Sequence, residues 1–353
     1  MSCHRRNLPA RNGGVMTIRF PLAAGAVLLS TCFLGNVSRA ADASAKGWLL
    51  VTNKGDQSLS IVDPESNKQI ATVSEDGNTG HELAASPDGK RAFVPIYGNS
   101  GVGKPGTDGQ LVRVIDLEKR AIVDTIDFGH GVRPHCAVYS AKNGVLYVTT
   151  EIENTVSVID PVSLKVTGSI PTGKPESHML AVTKDGKRGY TANVASGTVS
   201  VLDLENKKLL TTIPVAAKTQ RISLSIDDRW VFTSDQTKAQ LVVIDTKTNE
   251  VASRIDLPDF GYGTAPTPDG KSLLVCCGIG EVAVVDLEAK KVVHDLQLPR
   301  APQEILVRPD GAVAYVSCDA SAKIGVIDLK DWKVATLIEV GKTADGLAWA
   351  SAK

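Results

Sequence analysis

Apolar and polar residues alternate in short runs from Trp48 to the end of the chain, and the runs come in fours. The stretch S-H-M-L-A-V-T-K-D-G-K-R-G-Y-T-A-N, continuing S-G-T-V-S-V-L-D-L-E-N-K-K-L-L-T-T-I-P-V, shows the unit in its clearest form. Runs with a period of two, bounded by Gly, Asn and Asp, read as β-strands, and the short turns between them make each group of four an antiparallel meander. The third run closes each time on V-I-D or a near variant, which places Asp63, Asp116, Asp160, Asp203, Asp245, Asp286 and Asp328 at intervals of 53, 44, 43, 42, 41 and 42 residues.

A repeat of about 40–45 residues built from four strands is the pattern of a β-propeller, in which one blade cannot bury its apolar faces alone. First strands are predicted to open at His81, His135, His178, Gln220, Tyr262, Gln303 and Asp345. The last of them, D-G-L-A-W-A, has no strands after it, while the chain enters at W-L-L-V-T-N with a second strand that lacks a first. The C-terminal strand is therefore expected to complete the first blade, closing a seven-bladed ring and removing its open edges. The predicted fold is all-β, with residues 41–353 as one propeller of four-stranded antiparallel blades. Asp88-Gly89, Asp185-Gly186, Asp269-Gly270 and Asp310-Gly311 are predicted to form two-residue hairpin turns with positive φ. The V-I-D aspartates are expected to cap their own turns.

The position that reads L-V-T-N to Asn53, Y-V-T-T to Thr150, Y-T-A-N to Asn193 and Y-V-S-C to Cys318, joined to S-P-D-G-K and V-I-D, resembles the YVTN-type β-propeller repeat. The likeness covers residues 47–350. It implies a seven-bladed extracytoplasmic propeller and no single activity, since similar repeats occur in lactonase-like proteins, in propeller domains of haem and copper enzymes, and in surface proteins.

The start of the chain supports export. The first 40 residues hold five of the 39 basic side chains and none of the 39 acidic ones, and Phe20 to Leu34 is apolar, ahead of Ser38-Arg39-Ala40 and Ala41-Asp42. This reads as a secretory signal peptide cut after Ala40, best fitted by a start at Met16 with residues 1–15 as an extension. The expected location is the periplasm or the cell exterior. Removal leaves 34 basic against 39 acidic residues, a net charge of −5, so the mature chain lacks the basic excess expected of a nucleic-acid binder, and no nucleic-acid partner is expected. No later segment approaches 18 consecutive apolar residues, so no transmembrane segment is expected in the mature chain.

Cys136, Cys276, Cys277 and Cys318 remain after cleavage; they are too few for a disulfide scaffold and are expected to be buried thiols. The absence of C-x-x-C-H excludes covalent haem. Gly101-Val-Gly103-Lys-Pro-Gly106 fits G-x-G-x-x-G, but a nucleotide loop must run into a helix, and the continuation L-V-R-V-I-D is a strand. Nucleotide binding is excluded on that ground.

Residues that open first strands and residues that close second strands share one mouth, the top face. The second set is Asn53, Ile96, Thr150, Asn193, Asp235, Cys277 and Cys318. Of the five histidines in the mature chain, His81, His130, His135 and His178 fall here, His130 within the loop G-H-G-V-R-P-H. Neutral imidazole binds metal and titrates near neutrality, so the arc of His81, His135 and His178 suits a divalent metal, proton transfer on a bound ligand, or plain hydrogen bonding between blades. Arg133, Glu82, Glu151, Arg221 and Glu304 lie one or two positions away, and Tyr262 stands in G-Y-G. These charges either orient an anionic or polyol ligand or pair among themselves as a rim network. Candidate ligand-binding residues are thus His81, His130, Arg133, His135, Glu151, His178, Arg221, Tyr262 and Asp345. The second blade inserts G-N-S-G-V-G-K-P-G-T-D-G between Tyr97 and Gln110, expected beside or over His81 either as part of the binding face or as a functionless excursion. One functional expectation is a binding propeller that meets a small molecule or partner protein at its top-face mouth. The other is a lactonase-like, lyase or metal-dependent enzyme, with His81, His135 and His178 as catalytic groups or metal ligands and Arg133 orienting an anion.

Overall fold

A computed structural model describes residues 46–278 and 280–352; the expected leader lies outside them. Seven four-stranded antiparallel sheets follow one another, and in the first the segment Ala344–Ser351 pairs with Gly47–Asn53, so the C-terminal strand completes the first blade. Each inner strand packs against the next around a closed ring: Ala344–Ser351, Ala84–Ala85, Pro134–Ser140, Ser177–Val182, Ile222–Leu224, Gly261–Pro266 and Pro302–Val307. Among the described residues, no helix is long and apolar enough to cross a membrane.

The burial pattern explains the repeat. Second and third strands are buried almost throughout, because each faces a neighbouring blade on both sides. Outer strands bury one residue each, at the equivalent positions Val73, Ile126, Ile170, Ile213, Ile255, Leu296 and Ile338. Each such side chain contributes about 1.5–3 kcal/mol and holds the solvent-facing strand down.

One turn expectation needs correction. Ser86, Thr183, Thr267 and Arg308 accept from the N–H of Gly89, Gly186, Gly270 and Gly311, and their own N–H groups bond Arg91, Arg188, Ser272 and Val313. The hairpin loops therefore contain four residues, not two. The aspartate sits inside the turn, and the glycine takes the left-handed conformation at φ +69° to +71°. The V-I-D aspartates do cap their turns: Asp63, Asp116, Asp160, Asp203, Asp245, Asp286 and Asp328 each accept from a backbone N–H two or three residues on.

At the opposite end of the ring, the inner strands are bulged. In the third blade Pro134 pairs with Thr150 and Ala137 with Val148, so His135 and Cys136 oppose Thr149 alone. The same shift occurs around His178, Gln303–Glu304 and Asp345–Gly346. A bulge re-aims side chains and leaves backbone groups unpaired. Hydroxyls from the second strands supply the missing partners: Thr149 receives the Cys136 N–H and donates to the His178 carbonyl, and Ser317 receives the Glu304 N–H. Glycine at 346 is required by close approach, since a Cβ there would lie 2.5 Å from the His81 carbonyl oxygen.

Candidate functional site

These bulged ends bring three imidazoles together. The ring centroids of His81 and His135 are 4.7 Å apart, and those of His135 and His178 are 3.6 Å apart. His135 and His178 are buried, while His81 keeps 16 % of its side chain exposed on the top face. Gln220 Nε2 donates to His178 Nε2 at 3.2 Å, and Gln236 donates to Gln220.

Beside them lies a buried ionic network spanning four blades. Arg221 reaches Glu82 Oε1 at 2.6 Å, Asp345 Oδ1 at 2.8 Å and Glu304 Oε2 at 3.5 Å. Lys54 meets the other Asp345 oxygen at 3.1 Å and Asp319 at 3.2 Å. His81 Nδ1 lies 3.4 Å from Asp345 Oδ2, and His135 Nδ1 lies 3.1 Å from Glu82 Oε2. Burial opposes the Asp345 carboxylate, but Lys54 and Arg221 outweigh it and hold the group well below the usual range. Burial raises Glu82 in spite of Arg221 and pushes Glu304 up to about 8. Burial, reinforced for His135 by His178 and for His178 by Arg221, keeps both imidazoles neutral.

Glu75, ahead of the His81 segment, is a further buried carboxyl, outside that network. It accepts the Gly80 N–H at 2.8 Å, and Arg113 binds its backbone carbonyl rather than its side chain. Burial pushes it up to about 7. The unfolded chain releases this proton near 4.3, so the folded state binds more protons between those values. Its contribution is therefore complete at low pH, falls by about 3 kcal/mol as pH rises to 7, and then stays level. Glu75→Gln is expected to raise the melting midpoint by about 5 °C at pH 8 and to leave it nearly unchanged near pH 4. Calorimetry at both values checks this, and an equal shift at the two would refute it.

The remaining expected site residues do different work. Arg133 is committed to Asp108 (2.5 Å), Glu151 (3.1 Å) and the Lys104 carbonyl (2.8 Å), so it fastens the second-blade insertion instead of facing a ligand. Glu151 also receives the Gly103 N–H at 3.1 Å and the Tyr97 hydroxyl. The insertion is thereby tied to the third blade, and Tyr97 at its base touches His81, with ring centroids 4.9 Å apart. The insertion runs into the strand Asp108–Asp116. His130 is 63 % exposed and paired with Glu153 at 2.9 Å, outside the histidine cluster. Tyr262 packs against the apolar cluster of Ala265, Leu274 and Ile305. The second ring is structural, as shown by Asn53 bonding Ser58 and Ser60, and by Asn193 bonding Ser177, Thr198 and Ser200. The four described cysteines are free and buried, and burial pushes Cys277 and Cys318 up to about 12. Lys54 was not among the sequence candidates, although it directly follows a second-ring position.

Fold and site together define a closed seven-bladed propeller whose axis is lined at one end by imidazoles and paired charges. The chain belongs to the family described as domain of unknown function DUF5074, which it matches over residues 136–323. It is similar to antigen Lp49 of Leptospira interrogans, 25% identical over 229 residues, covering 58% of this chain and 50% of that protein. The uncharacterized protein YncE of Escherichia coli K12 is 25% identical over 211 residues, covering 57% and 60%. The seven-bladed beta-propeller protein Rv1057 of Mycobacterium tuberculosis is 24% identical over 242 residues, covering 56% and 61%. The chain thus spans half to three fifths of the length of these relatives. Among solved structures, it resembles Kuenenia stuttgartiensis hydrazine synthase (TM-score 0.68, 19% identity, 80% of this chain and 92% of that one). It also resembles the dihydro-heme d1 dehydrogenase NirN (TM-score 0.62, 14% identity, 88% and 77%). At these identities the likeness shows the fold alone.

Proposed function

We propose that the chain acts outside the cytoplasm, as a binding propeller of the YVTN repeat type that takes a small polar ligand at its top-face mouth. The observation that carries this reading is the convergence of His81, His135, His178, Glu82, Arg221, Glu304 and Asp345 at one end of the inner ring. At the other end, the V-I-D aspartates are spent on turns. A recessed set of polar groups with shifted pKa values is the usual mark of a ligand site. The deeper groups are buried, so a ligand meets Lys54, His81 and Glu304 first and has to be small. That recess favours a small molecule over a partner protein as the primary occupant.

A second reading, an enzyme of lactonase-like, lyase or metal-dependent type, is favoured by the clustering of three imidazoles beside a carboxyl, groups that serve in acid–base catalysis or as metal ligands. Thermal-shift screening of the mature protein against small carboxylates, sugar acids and polyols tests the binding reading, with turnover of each compound followed in parallel. The expected result is one class that stabilises the wild type and loses its effect in His81→Ala; stabilisation by none would sink the ligand reading. Export has its own test. After expression with an intact leader, N-terminal sequencing is expected to begin at Ala41, and recovery of residues 1–40 on the folded protein would overturn it.

A further inference from the structure

The geometry points to a divalent transition-metal site of two imidazoles and one carboxylate, His81, His135 and Glu82, in the floor of the mouth. The inference rests on the mouth being a binding site and specifies what is bound there. One ligand atom from each of the three residues lies within 4.8 Å of the other two. His135 is 1 % exposed and Glu82 3 % exposed; neither His135 nitrogen has a hydrogen-bond partner, and of the Glu82 oxygens Oε1 is ion-paired with Arg221 while Oε2 has no hydrogen-bond partner. Buried polar atoms are nearly always partnered, so a cluster of orphaned donor atoms is a demand for an occupant. His135 Nδ1 and Glu82 Oε2 are 3.1 Å apart but out of line for a hydrogen bond. Adjacent ligands on one ion, each about 2.1 Å from it, are separated by about 3.0–3.4 Å.

The surroundings orient these groups as a metal site requires. Asp345 Oδ2 faces His81 Nδ1 at 3.4 Å, which leaves Nε2 as the nitrogen available to bind. Arg221 holds Glu82 Oε1 at 2.6 Å and leaves Oε2 to bind. Carboxylate–imidazole pairs of this kind fix the tautomer and orientation of metal-bound histidines. Three carboxyls, Glu82, Glu304 and Asp345, are gathered around Arg221 and Lys54 beside the three ligands. His178 is outside the set: Gln220 donates to its Nε2, and the cluster of converging ligand atoms is His81, Glu82 and His135. Two nitrogens and one oxygen, with the exposed edge of His81 toward the top face, suit zinc, ferrous iron or manganese.

The test uses mature protein stripped by chelator, loaded separately with Zn(II), Fe(II) under anaerobic conditions, or Mn(II), gel-filtered, and assayed for retained metal. About one ion per chain is expected for at least one metal, with affinity lowered at least 100-fold in Glu82→Gln and in His135→Ala and little changed in His178→Ala. Each variant is checked for a cooperative melt. Cobalt(II) loading of the wild type, read by its visible ligand-field spectrum, keeps the test independent of the variants. No retained ion and no cobalt spectrum in folded wild type would overturn the site, as would full retention in Glu82→Gln and His135→Ala. Binding of an organic ligand by protein that takes up no metal overturns the metal site alone; uptake of neither overturns the binding reading as well.

Discussion

Replacing Arg221 by methionine is expected to cost about 3–5 kcal/mol and to lower the melting midpoint by about 10 °C at pH 8, with much of the loss recovered near pH 5. Arg221 is buried between Glu82, Glu304 and Asp345, contacting all three within 3.5 Å. Methionine fills a similar volume but strands the carboxyls in a low-dielectric interior. Glu82 and Glu304 are raised by burial even with the guanidinium present, and its removal raises them further. The unfolded chain releases the same protons near 4.3, so the folded variant binds more protons above that value and its stability climbs as pH falls. Calorimetry at pH 5, 6.5 and 8 follows the effect. Adding Glu82→Gln to the Arg221 variant is expected to restore part of the loss at pH 8, the coupling of a contacting pair. A loss of equal size at all three pH values would assign the cost to packing and remove the charge argument.

The closure of the ring was legible because it depends on counting. W-L-L-V-T-N matches a second strand without a first, and D-G-L-A-W-A matches a first strand without a second, and Gly47–Asn53 pairs with Ala344–Ser351. The histidine arc was legible for the same reason, since turn alignment places His81, His135 and His178 at one level. For Glu82, Arg221 and Glu304 the sequence left two readings open, ligand contact or a rim network of pairs, and the ion pairs realise the second. Strict alternation sends the residue after each ring position to the opposite face of the strand. Ahead of the regular pairing that rule fails, so His81 and Glu82 both reach the axis, as do Gln220 and Arg221. The available signal was an acid, a base and an acid at one repeat position, on blades two, five and seven. For Arg133 the pairing alternative holds with Glu151, but its other acceptors, Asp108 and the Lys104 carbonyl, belong to the insertion, which repeat alignment leaves out.

A chain ending at Lys342 is expected to lose cooperative folding and to regain it when a peptide of residues 343–352 is added. The missing strand is the inner edge of the first blade, paired with Gly47–Asn53 from Gly47↔Ser351 to Asn53↔Ala344. Its removal strips Leu49 and Val51 of Ala344 and Leu347, and separates Trp349 from the Tyr315 ring on which it stacks. It also takes away Asp345, which joins Arg221 to Lys54, and the Leu347 N–H that binds Glu304. A buried leucine at about 1.5–3 kcal/mol, the strand's hydrogen bonds at about 0.5–1.5 kcal/mol each, and a broken ion network together reach the order of a whole domain's stability, about 5–15 kcal/mol. The exposed edge of Gly47–Asn53 is then a template for pairing, which predicts aggregation of the truncated chain and its suppression by peptide through strand addition. Circular dichroism melts with and without peptide, together with light scattering, measure both effects. An Asp345→Ala peptide separates the contributions: it supplies the strand pairing without the carboxylate, so it should restore the sheet with a lower melting midpoint than the native sequence. Cooperative unfolding of the truncated chain at the full-length midpoint would mean that the ring closes with its first blade reduced to three strands, and would remove the closure argument.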